Sequence, residues 1–142
     1  MAISSSAAAG FAGTPSVIPS GAKRSRGISR QSSSQRMAEK ILLALSTFPD
    51  AETARRISNQ LVSERLAACA NILPPVESIY RWRGKIETAN ETLVFFKLNE
   101  DRQAAFQEKL RSLHPYEVPE IIFAKIDNGL PEYVRWVAEN CR

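Results

Sequence analysis

Residues 70–99 read ANILPPVESIYRWRGKIETANETLVFFKLN, and their alternation decides the fold. Val76, Ser78, Tyr80 and Trp82 fall on one face of an extended segment, with Glu77, Ile79 and Arg81 on the other. A period of two is the mark of a strand. Pro74-Pro75 interrupts residues 70–82, and proline donates no ladder hydrogen bond, so a bulge or an edge position is implied there. Arg83-Gly84-Lys85 makes a tight reversal, as a glycine between two strand patterns suggests. In residues 86–99, Thr92, Val94, Phe96 and Leu98 alternate with Leu93, Phe95 and Lys97. The whole stretch is therefore a long hairpin.

Working outward, residues 40–47 (KILLALST) are apolar on both faces and read as a central strand. Pro49 and Asp50 supply a turn and a helix start. Ala54, Ile57, Leu61 and Leu66 sit close to helical spacing in residues 51–67. Beyond the hairpin, Phe106, Leu110 and Leu113 mark a second helix over 101–113, which His114-Pro115 stops because the residue before proline avoids the α region. Residues 120–127 (EIIFAKID) form a fourth strand, Asn128-Gly129 turns the chain, and Pro131 opens a last helix carrying Val134, Val137 and Cys141. The order β-α-β-β-α-β-α is an α+β fold whose first six elements follow the ferredoxin-like split βαβ pattern. It predicts a four-stranded antiparallel sheet, two helices on one face, and an extra C-terminal helix. The long hairpin presents Tyr80 and Trp82, and aromatic edge strands are a hazard unless they are covered. A homo-oligomer is expected.

The 142 residues carry 19 Lys and Arg against 15 Asp and Glu, a net charge of +4 and a pI near 9.3. Such a balance invites a nucleic-acid partner. Its location removes the invitation. Residues 1–37 hold five of the basic residues and no acidic one, which leaves 14 basic and 15 acidic residues in 38–142. An acid-free, Ser-rich, Arg-bearing leader fits an organellar transit peptide, with a plastid preferred over a mitochondrial or cytoplasmic location. Residues 38–142 then form one small domain, which oligomerisation would help to stabilise. No apolar run approaches the roughly 18 residues needed to span a bilayer. Two cysteines make no disulfide framework, and one histidine excludes any single-chain site with two His ligands.

Four separated motifs carry a family resemblance. ERLAACANI (64–72), SIYRWRGKIE (78–87), HPYEVPEI (114–121) and YVRWV (133–137) resemble, in order, the CutA divalent-cation-tolerance proteins. The resemblance covers 38–142 and leaves the leader outside it. It implies ferredoxin-like subunits packed as a homotrimer, association with copper and other divalent metals, and, for plant members, an organelle-targeting leader. It further implies that the histidine of the HPY motif, here His114, and the cysteine of the ACAN run, here Cys69, are the metal positions. Cysteines that some bacterial members carry in the first strand and second helix are missing: Ala44 and Ser46 occupy the strand, and Glu108, Lys109 and Leu110 the helix. A copper site copied from those members is incomplete here.

Each candidate has a plainer alternative. A Cys69 thiolate is a soft donor suited to Cu(I), whereas most thiols outside disulfides are small buried hydrophobes. His114, at a helix end and partly exposed, offers an imidazole whose protonated form a helix C-terminus favours. It equally serves as a helix stop that hydrogen-bonds the last carbonyls. Tyr80, Trp82, Tyr116 and Trp136 are packing residues first. The resemblance places them in intersubunit clefts beside Lys85, Glu87 and Glu117, an arrangement suited to a small anionic molecule.

The leading expectation is a non-enzymatic copper-binding trimer in metal tolerance. A second is a ligand-sensing or scaffold trimer, similar in plan to nitrogen-signalling trimers, with incidental metal binding. A cysteine enzyme using Cys69 and His114 lacks a third partner to orient the imidazole. RNA binding lacks the aromatic pattern with its glycines, since 91–97 reads ETLVFFK.

Overall fold

The structure is a computed structural model that describes residues 39–142. The leader at 1–37 lies outside the described residues. In chain order the elements are β1 (Ile41–Phe48), α1 (Ala51–Ser63), β2 (Cys69–Ile72), β3 (Val76–Trp82), β4 (Lys85–Asn99), a 3-10 turn (Glu100–Arg102), α2 (Gln103–Leu113), β5 (Ile122–Ile126) and α3 (Pro131–Glu139). The chain divides into two units. Lys40–Asp127 and Val137–Arg142 belong to one, and Asn128–Trp136 to the other.

In the first unit the sheet order is β2-β4-β1-β5, all antiparallel, with β3 also paired to β4. Five strands replace the expected four. Pro74-Pro75 splits the segment that reads as one strand into β2, opposite residues 94–97, and β3, opposite 85–91. β4, 15 residues long, serves both. The reversal between β3 and β4 is a two-residue loop in which Arg83 (φ 51°) and Gly84 (φ 83°) both take positive φ. That is the conformation whose twist matches the flanking strands.

The core lies on one face of the sheet. Leu42, Ala44, Ser46 and Phe48 of β1 stand opposite Leu98, Phe96, Val94 and Thr92 of β4, all buried. α1 covers this face with Ala54, Ile57, Ser58 and Leu61, the spacing of one helical stripe. α2 adds Phe106 and Leu110. The Phe106 ring meets Phe96 and Phe123 edge-on, with centroids 5.1 and 5.9 Å apart. On the opposite face Leu43, Leu45, Leu93 and Phe95 are only half-buried.

Asp50 caps α1, its carboxylate accepting from the Thr53 N–H at 2.7 Å, which satisfies one orphan donor of the first turn. α1 ends four residues earlier than the apolar spacing suggests. Leu66 N–H reaches Leu61 O at 3.0 Å and Arg65 N–H reaches Val62 O at 3.0 Å. Those are the two bonds of a Schellman stop, with Arg65 (φ 59°) in the left-handed position usually given to glycine. The C-terminal residues are tied to the end of β4. Asn99 donates from Nδ2 to the Ala138 and Cys141 carbonyls (2.9 and 3.0 Å), and its N–H points at Cys141 Sγ (3.4 Å). Burial pushes the Cys141 thiol pKa up. In the second unit, Pro131 opens α3, and the Tyr133 and Trp136 rings stack at 5.7 Å. No helix among the described residues is long and apolar enough to cross a membrane.

Candidate functional site

Pro115 forces His114 out of the helical region, to φ −76° and ψ 135°. The ring turns away from its own helix to the end of β1. Nε2–H donates to the Thr47 carbonyl at 2.8 Å, and Nδ1 accepts from the Tyr116 N–H at 3.2 Å. One partner only accepts and the other only donates, so the neighbours dictate the neutral tautomer with its proton on Nε2. The imidazole also stacks on Phe48, with centroids 4.7 Å apart and planes 18° apart. His114 is 7% exposed. The expectation of a partly exposed, protonation-prone histidine is therefore corrected. Burial lowers its pKa, against smaller opposing effects of the Thr47 bond and the Glu91 charge. It also bonds a strand carbonyl, where a helix stop would bond the last helical ones.

From His114 the connection runs outward. Tyr116 lies beside the imidazole at 4.8 Å, and its hydroxyl donates to Glu91 Oε2 at 2.6 Å. Burial and the Glu91 carboxylate together hold the Tyr116 phenol well above the usual range, so it stays a donor. Thr47, His114, Tyr116 and Glu91 thus link the end of β1 to the middle of β4.

Thr47, Tyr116 and Glu91 of this link line a cleft of about 740 Å³. Tyr80 and Trp82 of β3 wall one side, Tyr116, Glu117 and Glu120 the other, with Glu91 between. The register explains the arrangement. Tyr80 pairs with Glu87, Trp82 with Lys85 and Val76 with Glu91, so these residues share one face of the hairpin. Lys85 and Glu87 lie towards its tip and do not line the cleft within one subunit. Arg83 bends back over the Trp82 ring, 5.4 Å from its centroid, and meets Glu117 at 3.4 Å. Of the residues expected in a cleft, the structure brings Tyr80, Trp82, Tyr116 and Glu117 together. Trp136 stacks on Tyr133 within α3. Glu91 and Thr47 escaped the sequence reading. The available signal was a charge heading the apolar run ETLVFF, on the same side of the strand as Leu93 and Phe95.

Cys69 opens β2, half-buried and opposite Lys97. Thr47, which holds His114, lies opposite Leu93, four residues earlier on β4. Four strand residues span ~13 Å, so one subunit does not bring Cys69 to His114. With its Nε2 protonated and its Nδ1 lone pair taken, the imidazole as folded has no electron pair for a metal. Among the described residues no three His, Cys, Asp or Glu side chains form a group able to hold a metal ion. A copper site made from Cys69 and His114 of one subunit does not fit, and a cysteine–histidine catalytic pair meets the same separation.

The chain was compared with known proteins. Residues 42–140 match the family model of the CutA1 divalent ion tolerance protein. A Thermus thermophilus divalent-cation tolerance protein CutA is 44% identical over 98 residues, covering 69% of this chain and 95% of that protein. A CutA 1 protein of Oryza sativa, named chloroplastic, is 38% identical over 68% of this chain and 54% of its own length. The chain spans 62% and 53% of the Xenopus laevis and Mus musculus relatives. A crystal structure of CutA1 from Oryza sativa superposes with a TM-score of 0.71 at 35% identity, covering 74% of this chain and 96% of that one.

Proposed function

We infer the function from the family to which this chain belongs, the CutA1 divalent ion tolerance proteins: it is a non-catalytic homotrimer that binds copper or another divalent cation and contributes to metal tolerance in the chloroplast. The observation that carries this reading is the extent of the family match, which runs from β1 into the residues after α3. The chloroplast address draws on the acid-free leader and on the rice and Arabidopsis thaliana relatives named chloroplastic.

Copper is the cation that the thiol chemistry favours, because Cu(I) prefers soft donors. Since His114 is committed to Thr47 and Tyr116, the donor assigned to copper is Cys69, contributed by more than one subunit. His114 then serves to hold Tyr116 in the cleft. Titrating Cu(I) into the purified oligomer tests this. We expect stoichiometric copper in the wild type, its loss in Cys69→Ser and its retention in His114→Ala. A wild type that binds no copper sinks the copper assignment.

A second reading has its own observation. The cleft walled by Tyr80, Trp82 and Tyr116 suits a small-molecule-binding trimer, since pockets of this size lined by aromatics and a few polar groups hold small ligands.

A further inference from the structure

Of the six asparagines in the chain, only Asn128 precedes a glycine. The other five are held. Asn59 donates from Nδ2 to the Arg55 carbonyl within α1, Asn71 accepts from Lys97 Nζ, and Asn99 donates to the Ala138 and Cys141 carbonyls. Asn90 lies inside β4 opposite Glu77, and the Asn140 N–H bonds the Val137 carbonyl. Asn128 and Gly129 are exposed and lie outside every helix and strand. No hydrogen bond among the described residues holds the Asn128 side chain or the Gly129 N–H. Asparagine is one of the thermolabile residues, and its lifetime depends on whether the next backbone nitrogen can reach its side-chain carbon. Reaching it needs rotation of the Asn128 backbone, which a helix or a ladder resists and an unbonded loop allows. It also needs an unhindered nitrogen, and glycine, with no Cβ, gives the closest approach.

We propose that Asn128-Gly129 is a modification site, where the chain deamidates without an enzyme and passes to isoaspartate, loosening the first turn of α3. The Gly129 nitrogen attacks Asn128 Cγ. The N–Cγ bond forms, the Cγ–Nδ2 bond breaks, and Nδ2 leaves as ammonia with the proton of the Gly129 N–H. Water then opens the cyclic imide. Cleavage at Cγ gives aspartate, and cleavage at the Asn128 backbone carbonyl carbon gives isoaspartate, whose main chain runs through the side-chain methylene. No electron is transferred, and water is the only co-reactant. The neighbourhood makes the longer main chain consequential. A Cβ on Gly129 would stand 3.0 Å from Val134 Cγ2, so the backbone there packs closely on α3. One residue on, the Leu130 carbonyl accepts from the Tyr133 and Val134 N–H groups at 2.9 and 3.0 Å. An extra methylene just before this contact displaces Gly129 and strains both bonds. The site is independent of the metal and cleft readings.

Full-length protein held at mildly alkaline pH and sampled over time tests it. Peptide mass mapping gives the position, and transfer of a labelled methyl group by a protein isoaspartyl methyltransferase reports the product. We expect deamidation at Asn128 at least tenfold faster than at Asn59 or Asn90, with isoaspartate as the larger product. Asn128→Gln, whose extra methylene demands a larger and slower-closing ring, should lose methyl acceptance, and Asn90→Gln should retain it. In the isoaspartyl fraction, separated by anion exchange, the Tyr133 and Val134 amide hydrogens should exchange several-fold faster than in fresh protein. In equally aged Asn128→Gln they should not. A thermal transition shows that each variant is folded. Conversion at Asn128 no faster than at Asn59 or Asn90 overturns the site. Aspartate alone overturns the change of main chain. Unchanged exchange at Tyr133 and Val134 in the isoaspartyl fraction, or equal acceleration in aged Asn128→Gln, overturns the coupling to α3.

Discussion

At the scale of single residues, His114 carries a consequence for pH. Its folded pKa lies below the ordinary 6.5 because burial disfavours the imidazolium. A second proton would also set Nδ1–H against the Tyr116 N–H. The unfolded chain therefore binds this proton more readily than the folded one, and stability rises with pH wherever that holds. The contribution is fully present above pH 6.5 and is lost as pH falls from there towards the depressed folded value. Asp50 and Glu64 are lowered too, the first by its bond from Thr53 and the second by that from Gln60, but they act below their ordinary 3.8 and 4.5. Between pH 6.5 and 5 the histidine is thus separable from both. We expect the urea midpoint to fall across this interval in the wild type and to stay nearly level in His114→Gln, whose amide can still donate to Thr47. Equal falls in the two proteins would assign the loss to other groups.

Elements show how much of the fold could be read in advance. Strands and helices whose apolar period is uninterrupted, such as β1, the second half of β4 and α2, lie within a few residues of where the pattern puts them. α1 does not, because its stop carries no Gly or Pro. The two bonds that close it, Leu66 to Leu61 and Arg65 to Val62, are backbone bonds that any residue can make. Only the positive φ of Arg65 is costly, and cost leaves no periodic mark. The cleft is legible to the same degree. Tyr80 and Trp82 follow from a period of two, whereas the burial of His114 and Glu91 depends on tertiary partners 67 and 25 residues away in sequence. The Arg65 strain makes a prediction. A left-handed non-glycine residue costs about 1 kcal/mol, and glycine removes that cost while gaining some unfolded-chain entropy. Arg65→Gly should stabilise the protein by roughly 0.5 kcal/mol. A lower denaturant midpoint in the variant would refute this account of the helix stop.

The whole molecule presents surfaces that one copy leaves open. Ile79 and Ile86 lie diagonally across the β3–β4 ladder on one face and are 69% and 61% exposed, and Val118 and Ile122 are exposed as well. β3 pairs only with β4, and β5 only with β1, among the described residues. Exposed large apolar side chains and open strand edges mark a surface suited to an interface. The half-buried side chains of Leu43, Leu45, Leu93 and Phe95 extend the same need to the sheet face opposite the helices. The homotrimer proposed above would satisfy it, since closed symmetry leaves no unmatched patch to propagate. Light scattering on the wild type should give three times the subunit mass. Ile79→Lys with Ile86→Lys should lower that mass while the circular dichroism spectrum keeps its mixed α/β form, because both side chains are exposed in the subunit and support no core. A double variant that still scatters as the trimer would move the interface off this hairpin face and onto the β5 edge with Val118 and Ile122, where Ile122→Lys would then be the informative change.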